Sequence, residues 1–324
     1  MVVRKSRHQR GAGALALTAI LALLAASAAR AFDNPKKVEL PPRLRQALEK
    51  LDSEKYRIVA EPLEYSYGES VRADLKGWPA FQERFGREWR LEVDRRTGAP
   101  LLIEGQGIPL FPGRGNSLER PAYGSIAAVA PKDLRLEDVA AVTRAFLDQN
   151  AELLGVAGAS LQLDKRASSA LGRDRLRWNI RFEQFVRDPA LGTIPVRDAH
   201  VFFRISGGNL LQFGNQFVTA VRALDTSGLV SRQQAMEAAR ALTGDGERVR
   251  VEEPGRDIGQ QDRTLQIVLV NGPRGTLEHQ LVRSVLVDSS DFNFELWFDA
   301  KSGKLVHAID RRHYVDGTVR GGIY

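Results

Sequence analysis

The chain of 324 residues has no cysteine, so no disulfide and no thiolate-bound metal can hold it together. Its stability must come from burial. Histidine is scarce too: His8, His200, His279, His307 and His313 are the whole set, and no two stand four apart around a glutamate. The His-Glu-x-x-His pattern, which puts two zinc ligands and a base on one helix face, is therefore missing. A Gly-x-Ser-x-Gly elbow is missing as well, because Gly124-Ser125-Ile126 and Ser206-Gly207-Gly208 have the wrong spacing. Gly105-Gln106-Gly107 and Gly113-Arg114-Gly115 are followed by prolines and by no Gly-Lys-Ser/Thr, so they read as loops and not as a phosphate cradle. The acidic runs Glu252-Glu253 and Asp288 to Asp291 lack the spacing of a calcium loop. The sequence thus offers no catalytic, cofactor or metal site, and the expectation is a protein that is not an enzyme.

Long apolar runs are absent except at the start, where Arg4, Lys5, Arg7 and Arg10 precede an apolar stretch from Gly11 to Ala26 and then Ala29-Arg30-Ala31. A basic, apolar and small-residue order of this kind predicts a signal peptide cut after Ala31 and a secreted or periplasmic product without stable membrane insertion. The leader carries five of the basic residues and no acid, which leaves 42 basic against 40 acidic residues over 32–324. The charges alternate in sign, as in LDKRASSALGRDRLRW, and predict a solvated surface and no nucleic-acid partner.

Periodicity places the elements. PPRLRQALEKLD puts Leu44, Leu48 and Leu51 on one helical face and predicts a short lid or spacer helix. From Tyr56 to Gly107 apolar residues alternate, and Arg96-Thr97-Gly98 joins two strands in a hairpin. Residues 108–130 are rich in Pro and Gly and read as a connector. The clearest helix is LRLEDVAAVTRAFLDQNAELLGV, with Leu136, Val139, Ala140, Val142, Phe146, Leu147, Leu153 and Leu154 at helical spacing and Gly155 as its stop. Strands follow, through the meander FEQFVRDPALGTIPVRDAHVFFRISGGNLLQFG. The order then repeats, with the helix SRQQAMEAARALT, Gly244 as its stop, and strands near 248–253, 264–271, 279–288, 293–300 and 304–311.

This order predicts an α+β architecture in which each antiparallel sheet packs on one helix. Trp89, Trp178 and Trp297 sit in alternating apolar patterns and read as packing residues. Trp178 and Phe182 should share a buried face against Phe146. LEVDRRTGAPLL (91–102) echoes LWFDAKSGKLVH (296–307), a likeness open to two accounts, shared turn chemistry or common descent. His307, His313 and Arg311 share a strand face and read as solvent-facing.

Phe182, Gln184, Gly192-Thr193-Ile194-Pro195-Val196, Val201, Gly208 and Gly214 together resemble the propeptide module of the thermolysin and fungalysin families of secreted zinc metalloproteases. SRQQAMEAARAL with ELWFDAKSGKLVHAIDRRHY resembles the PepSY-type domain that follows it, and the likeness spans roughly residues 135–315. One departure is Asp198, where that family often has glycine. The resemblance implies a signal peptide (1–31), a β-rich region and linker (32–120), a propeptide-like domain (121–222) and a PepSY-like domain (223–315), the two halves being cystatin-like in plan. Residues 316–324, DGTVRGGIY, are similar to the opening of the protease domain and imply the start of a truncated following domain.

The implied function is a secreted prosegment, chaperone and inhibitor of a zinc metalloprotease domain in cis or in trans, with zinc expected only in that missing domain. The alternatives are a stand-alone PepSY-like inhibitor or binding module of the envelope, and an interaction domain of a larger surface protein. The polar stretch 310–317, with the basic pair Arg311-Arg312, is the expected processing junction; arginines bound to a strand are the plainer alternative.

Overall fold

The computed structural model describes residues 40–65, 75–124, 133–172, 176–222, 224–244, 250–253 and 262–312. The leader, Ala31, His8, His313 and residues 316–324 lie outside the described residues. No helix among the described residues is long and apolar enough to cross a membrane.

The helices are α1 (Pro42–Leu48), α2 (Ser53–Tyr56), α3 (Trp78–Phe85), α4 (Leu136–Gln149) and α5 (Arg232–Thr243). The strands are β1 (Pro62–Tyr65), β2 (Trp89–Asp94), β3 (Pro100–Pro109), β4 (Ser160–Leu163), β5 (Ser169–Leu171), β6 (Arg177–Asp188), β7 (Gly192–Ser206), β8 (Asn209–Gln216), β9 (Arg250–Glu252), β10 (Leu265–Asn271), β11 (Leu277–Asp288), β12 (Asn293–Asp299) and β13 (Leu305–Asp310). They form one curled sheet in the order β1-β2-β3-β8-β7-β10-β11-β12-β13, with β6 beside β7, β4 and β5 beside β6, and β9 beside β11. The α+β class expected from the sequence is the observed one.

Every strand pair is antiparallel except β7 with β10, which meet in parallel at Val196 and Ile267 alone. That bridge is where the two halves of the sheet join. β7 can serve both because its pairing with β6 is interrupted: Glu183 faces His200 and Phe185 faces Pro195, so Val196 to Ala199 are free of β6 and reach the second half.

The first half is built on aromatic packing. Phe146 of α4 is fully buried and meets Phe213 edge-on at 5.4 Å and Phe203 at 6.3 Å, while Phe182 meets Phe203 at 6.1 Å. Trp178 and Phe182, both buried, lie on the same face of β6, as the alternation requires. The turn between β7 and β8 is Gly207-Gly208, both at positive φ, the two-residue connection that matches strand twist. Gly113 needs its lack of a side chain for another reason: a Cβ there would stand 2.1 Å from the Gly207 carbonyl oxygen. The glycines of this loop serve close backbone approach.

Three sequence expectations are corrected here. The stretch from Tyr56 to Gly107 contains helix α3, because Trp78, Phe81 and Phe85 recur at helical spacing behind Pro79 in the first turn, and Gly77 and Gly86 flank it. Helix α1 is no detached spacer: Leu44 is fully buried in the second core with Ala235, Ala239, Leu296 and Phe298. And the region 32–120 is divided between the halves. β3 pairs with β8, so the first hairpin extends the first sheet, whereas residues 40–56 wrap the second, α1 on its helix-bearing face and Tyr56 on the opposite face with Val268, Val282 and Trp297.

The two echoing hairpins share detailed geometry. In each the Asp carboxylate accepts backbone N–H bonds of the turn, from Arg96 to Asp94 (2.8 Å) and from Ser302 to Asp299 (2.7 Å). Gly98 (φ 69°) and Gly303 (φ 68°) each donate back to the Asp carbonyl. Both ladders also slip by one residue at the same place, after Glu92 and after Trp297.

Phe146→Ala is expected to lower stability by about 3–5 kcal/mol, because it empties the space between four aromatic rings. A urea midpoint equal to wild type would show that α4 does not pack on the meander.

Candidate functional site

The strand NFELWFD of β12 has apolar residues on both parities, so both of its faces are covered. Phe294, Leu296 and Phe298 point toward α5, whereas Glu295 and Trp297 point to the opposite face. A carboxylate is therefore placed in an apolar layer. Glu295 is 0 % exposed, and an isolated charge there would be strongly unfavourable.

It is held by four groups from four elements. Arg197 of β7 donates from Nη1, Arg311 just beyond β13 from Nη1 (2.9 Å), Ser284 of β11 from Oγ (2.7 Å) and Trp297 from Nε1 (3.1 Å). Burial alone would raise the carboxyl, but the Arg197 charge and the bonds from Ser284, Trp297 and Arg197 outweigh it and bring the group down to about 2. Arg197 also lies over the Trp297 ring, 5.0 Å from its centre, and its Nε is 3.5 Å from the Asp198 carboxylate.

Beside this ion pair a cleft of about 100 Å³ opens between the two halves. Tyr56 and Trp297 form its aromatic wall, Ile58, Val268 and Leu269 its aliphatic one. Arg197, Asp198 and Phe217 complete it. Among the described residues only three non-glycine residues have positive φ, and two of them, Asp198 (61°) and Phe217 (60°), line this cleft. Such a backbone costs of order 1–3 kcal/mol per residue and persists where surroundings fix it. For Phe217 the fixing group is Asn215, fully buried, whose side chain both accepts from Val218 N–H (2.8 Å) and donates to the Val218 carbonyl (3.0 Å). For Asp198 it is the span of β7 that leaves β6 to reach β10.

Burial lowers each of the three described histidines. Burial, reinforced by Arg181, pushes His200 down to about 4. Burial lowers His279, whose Nε2 is 3.3 Å from Thr219 Oγ1, with help from Arg222. His307 is half-buried, stacked on Tyr56 (5.3 Å, 24°) and close to Trp297 (4.8 Å), and burial with the Arg197 charge lowers it. The expectation of a solvent-facing His307 is thereby corrected: Tyr56, 251 positions earlier in the chain, covers it.

Arg311, half of the expected junction, is bound to Glu295 and its backbone N–H donates to Asn293 (2.8 Å). Arg312 pairs with Asp310. Sequence reasoning missed Glu295, Arg197 and Tyr56. The available signal was a charge inside a strand with no polar parity, which requires a buried partner.

No family model matches the chain, and no curated protein matches it. Among solved structures it is similar to the Bacillus megaterium YpeB C-terminal domain, at 12% identity and TM-score 0.32, over 84% of this chain and 95% of that one. It is similar also to an uncharacterized protein from Eubacterium rectale ATCC 33656, at 12% identity and TM-score 0.33, over 82% of this chain and 79% of that one. At these scores neither likeness carries an argument.

The titrations give a pH dependence with a defined sign. The lowered histidines bind protons more readily unfolded, so their contribution is present above pH 6.5 and falls as pH drops toward 4. Glu295 contributes above its ordinary 4.5 and loses that contribution as pH falls toward 2, roughly 3 kcal/mol in all. Urea midpoints at pH 7, 5 and 3 should fall in two stages. Glu295→Gln should lower the pH 7 value and shrink the stage below 4.5, to which Asp262 and Asp299, also held low, still contribute; a stage of unchanged size would remove Glu295 as a source.

Proposed function

We propose that this chain is an exported, non-catalytic protein-binding module that serves as the prosegment of a zinc metalloprotease, holding the partner inactive through contacts of its sheet. In this reading the halves are propeptide-like and PepSY-like, each a sheet wrapped on one helix, α4 and α5. The observation that carries it is local. Asp198 stands where the resembled propeptide often has glycine, and it is held at φ 61°, the backbone region that glycine enters most easily. A positive φ at the position where the resembled motif often has glycine supports this reading.

One observation favours the stand-alone binding module instead. A trypsin-like cut needs its arginine free in an extended chain, and Arg311 is occupied by a buried carboxylate. The prosegment reading then requires processing beyond Arg312.

Residues 32–324 titrated into a thermolysin-type zinc endopeptidase should give saturable inhibition of casein cleavage, with a serine endopeptidase such as subtilisin unaffected. Inhibition of both enzymes would favour a general envelope inhibitor. Uninhibited cleavage, with the chain consumed as an ordinary substrate, would overturn both inhibitor readings.

A further inference from the structure

His307 is clamped between two rings, Tyr56 stacked on it at 5.3 Å and 24° and Trp297 at 4.8 Å on the neighbouring strand. A neutral imidazole suits such a stack. An imidazolium can gain from aromatic faces too, but each of these rings already carries a cation: the Arg197 guanidinium is 5.0 Å from the centre of Trp297, and the Lys55 ammonium 5.6 Å from the centre of Tyr56. A proton on His307 puts a third charge between them.

The carboxylates around the stack are committed elsewhere. Glu295 is bound by Arg197 and Arg311, Asp198 lies against Arg197, Glu54 against Arg57, and Asp310 of β13 pairs with Arg312. Asp52 caps α2 by accepting from the Lys55 N–H, and Asp299 accepts from Gln280 and from the turn that follows it. Burial and the Arg197 charge accordingly lower the affinity of His307 for a proton. The ties around the stack show which part can yield. Asn271 donates to the carbonyls of Glu54 and Arg57, and Arg96 to that of Val59, so the backbone on both sides of Tyr56 is fastened. Trp297 belongs to a strand paired along both edges. The Tyr56 side chain is held by its packing and by one hydrogen bond, to Gln280 (3.0 Å).

We propose that the Tyr56 side chain is a gate on the cleft and His307 its proton sensor: the ring closes over Trp297 while His307 is neutral, and protonation of His307 swings it out, hydrating the imidazolium and opening the Trp297 wall to solvent. The sign follows from linkage. The closed gate binds the proton less well than the open one, so it stays closed above the ordinary histidine value of 6.5 and opens as pH falls below it. The backbone of residues 54–59 keeps its ties throughout. This gate needs no partner, and it stands or falls apart from the prosegment reading.

The test is acrylamide quenching of tryptophan fluorescence in residues 32–324 between pH 7.5 and 4.5. Trp297→Phe supplies the background of Trp78, Trp89 and Trp178, which are buried in the first core. Quenching of Trp297 should rise reversibly as pH falls, with the midpoint at which the His307 ring signals titrate by NMR and with the far-UV circular dichroism unchanged. Tyr56→Phe, which keeps the ring and loses the bond to Gln280, should move that midpoint up by about half a pH unit. His307→Phe, which keeps a stacked ring and cannot take a proton, should hold quenching at its pH 7.5 level throughout. Quenching that stays flat down to pH 4.5, or a rise that persists in His307→Phe, overturns the proposal.

Discussion

The carboxylate of Glu295 is the constraint on which the joint between the two halves depends. Its burial is unfavourable by several kcal/mol unless partners satisfy it, and the partners come from both sides of the joint: Arg197 from the first half, and Ser284, Trp297 and Arg311 from the second. The strand contact between the halves is a single bridge, Val196 with Ile267. One backbone bridge fixes little, so the ion pair holds β7 against β10 together with Leu265, Ile267 and Leu281, which pack into the core of the first half. Arg96 adds a second tie, donating to Asn271 (3.2 Å) and to the Val59 carbonyl, while Asn271 donates to the carbonyls of Glu54 and Arg57.

This joint explains features that are otherwise unrelated. β7 must leave β6 to deliver Arg197, which forces Asp198 to positive φ. Residues 40–56 must cross from one face of the second sheet to the other, which brings Tyr56 over His307 and Trp297. The cleft is what remains between these obligations, a pocket whose walls come from both halves.

Much of this fold was legible locally. The helices α4 and α5, the Arg96-Thr97-Gly98 hairpin and the Gly207-Gly208 turn follow from periodicity and turn chemistry, and the echo of 91–102 in 296–307 extends to a common slip in register. Helix α3 was hidden because Trp78 and Phe81 fall among strand-like residues, and only Pro79 with the flanking glycines marked it. The docking of Leu44 and Tyr56 on the second half was not legible, since contacts across 198 and 224 positions leave no local trace. The site lay between these cases. Glu295 within FELWF announces a buried charge, but which of the 47 basic residues answers it is a matter of tertiary structure alone.

The central claim is that Arg197 and Glu295 couple the halves, and a double-mutant cycle tests it most directly. Arg197→Met, Glu295→Gln and the double variant are compared with wild type by urea unfolding at pH 7. The account predicts that the double variant is more stable than the sum of the single losses implies, by about 2 kcal/mol or more, because each single change removes the other group's nearest charged partner in an apolar layer. Losses that add to within about 0.5 kcal/mol would show two independent residues and contradict it.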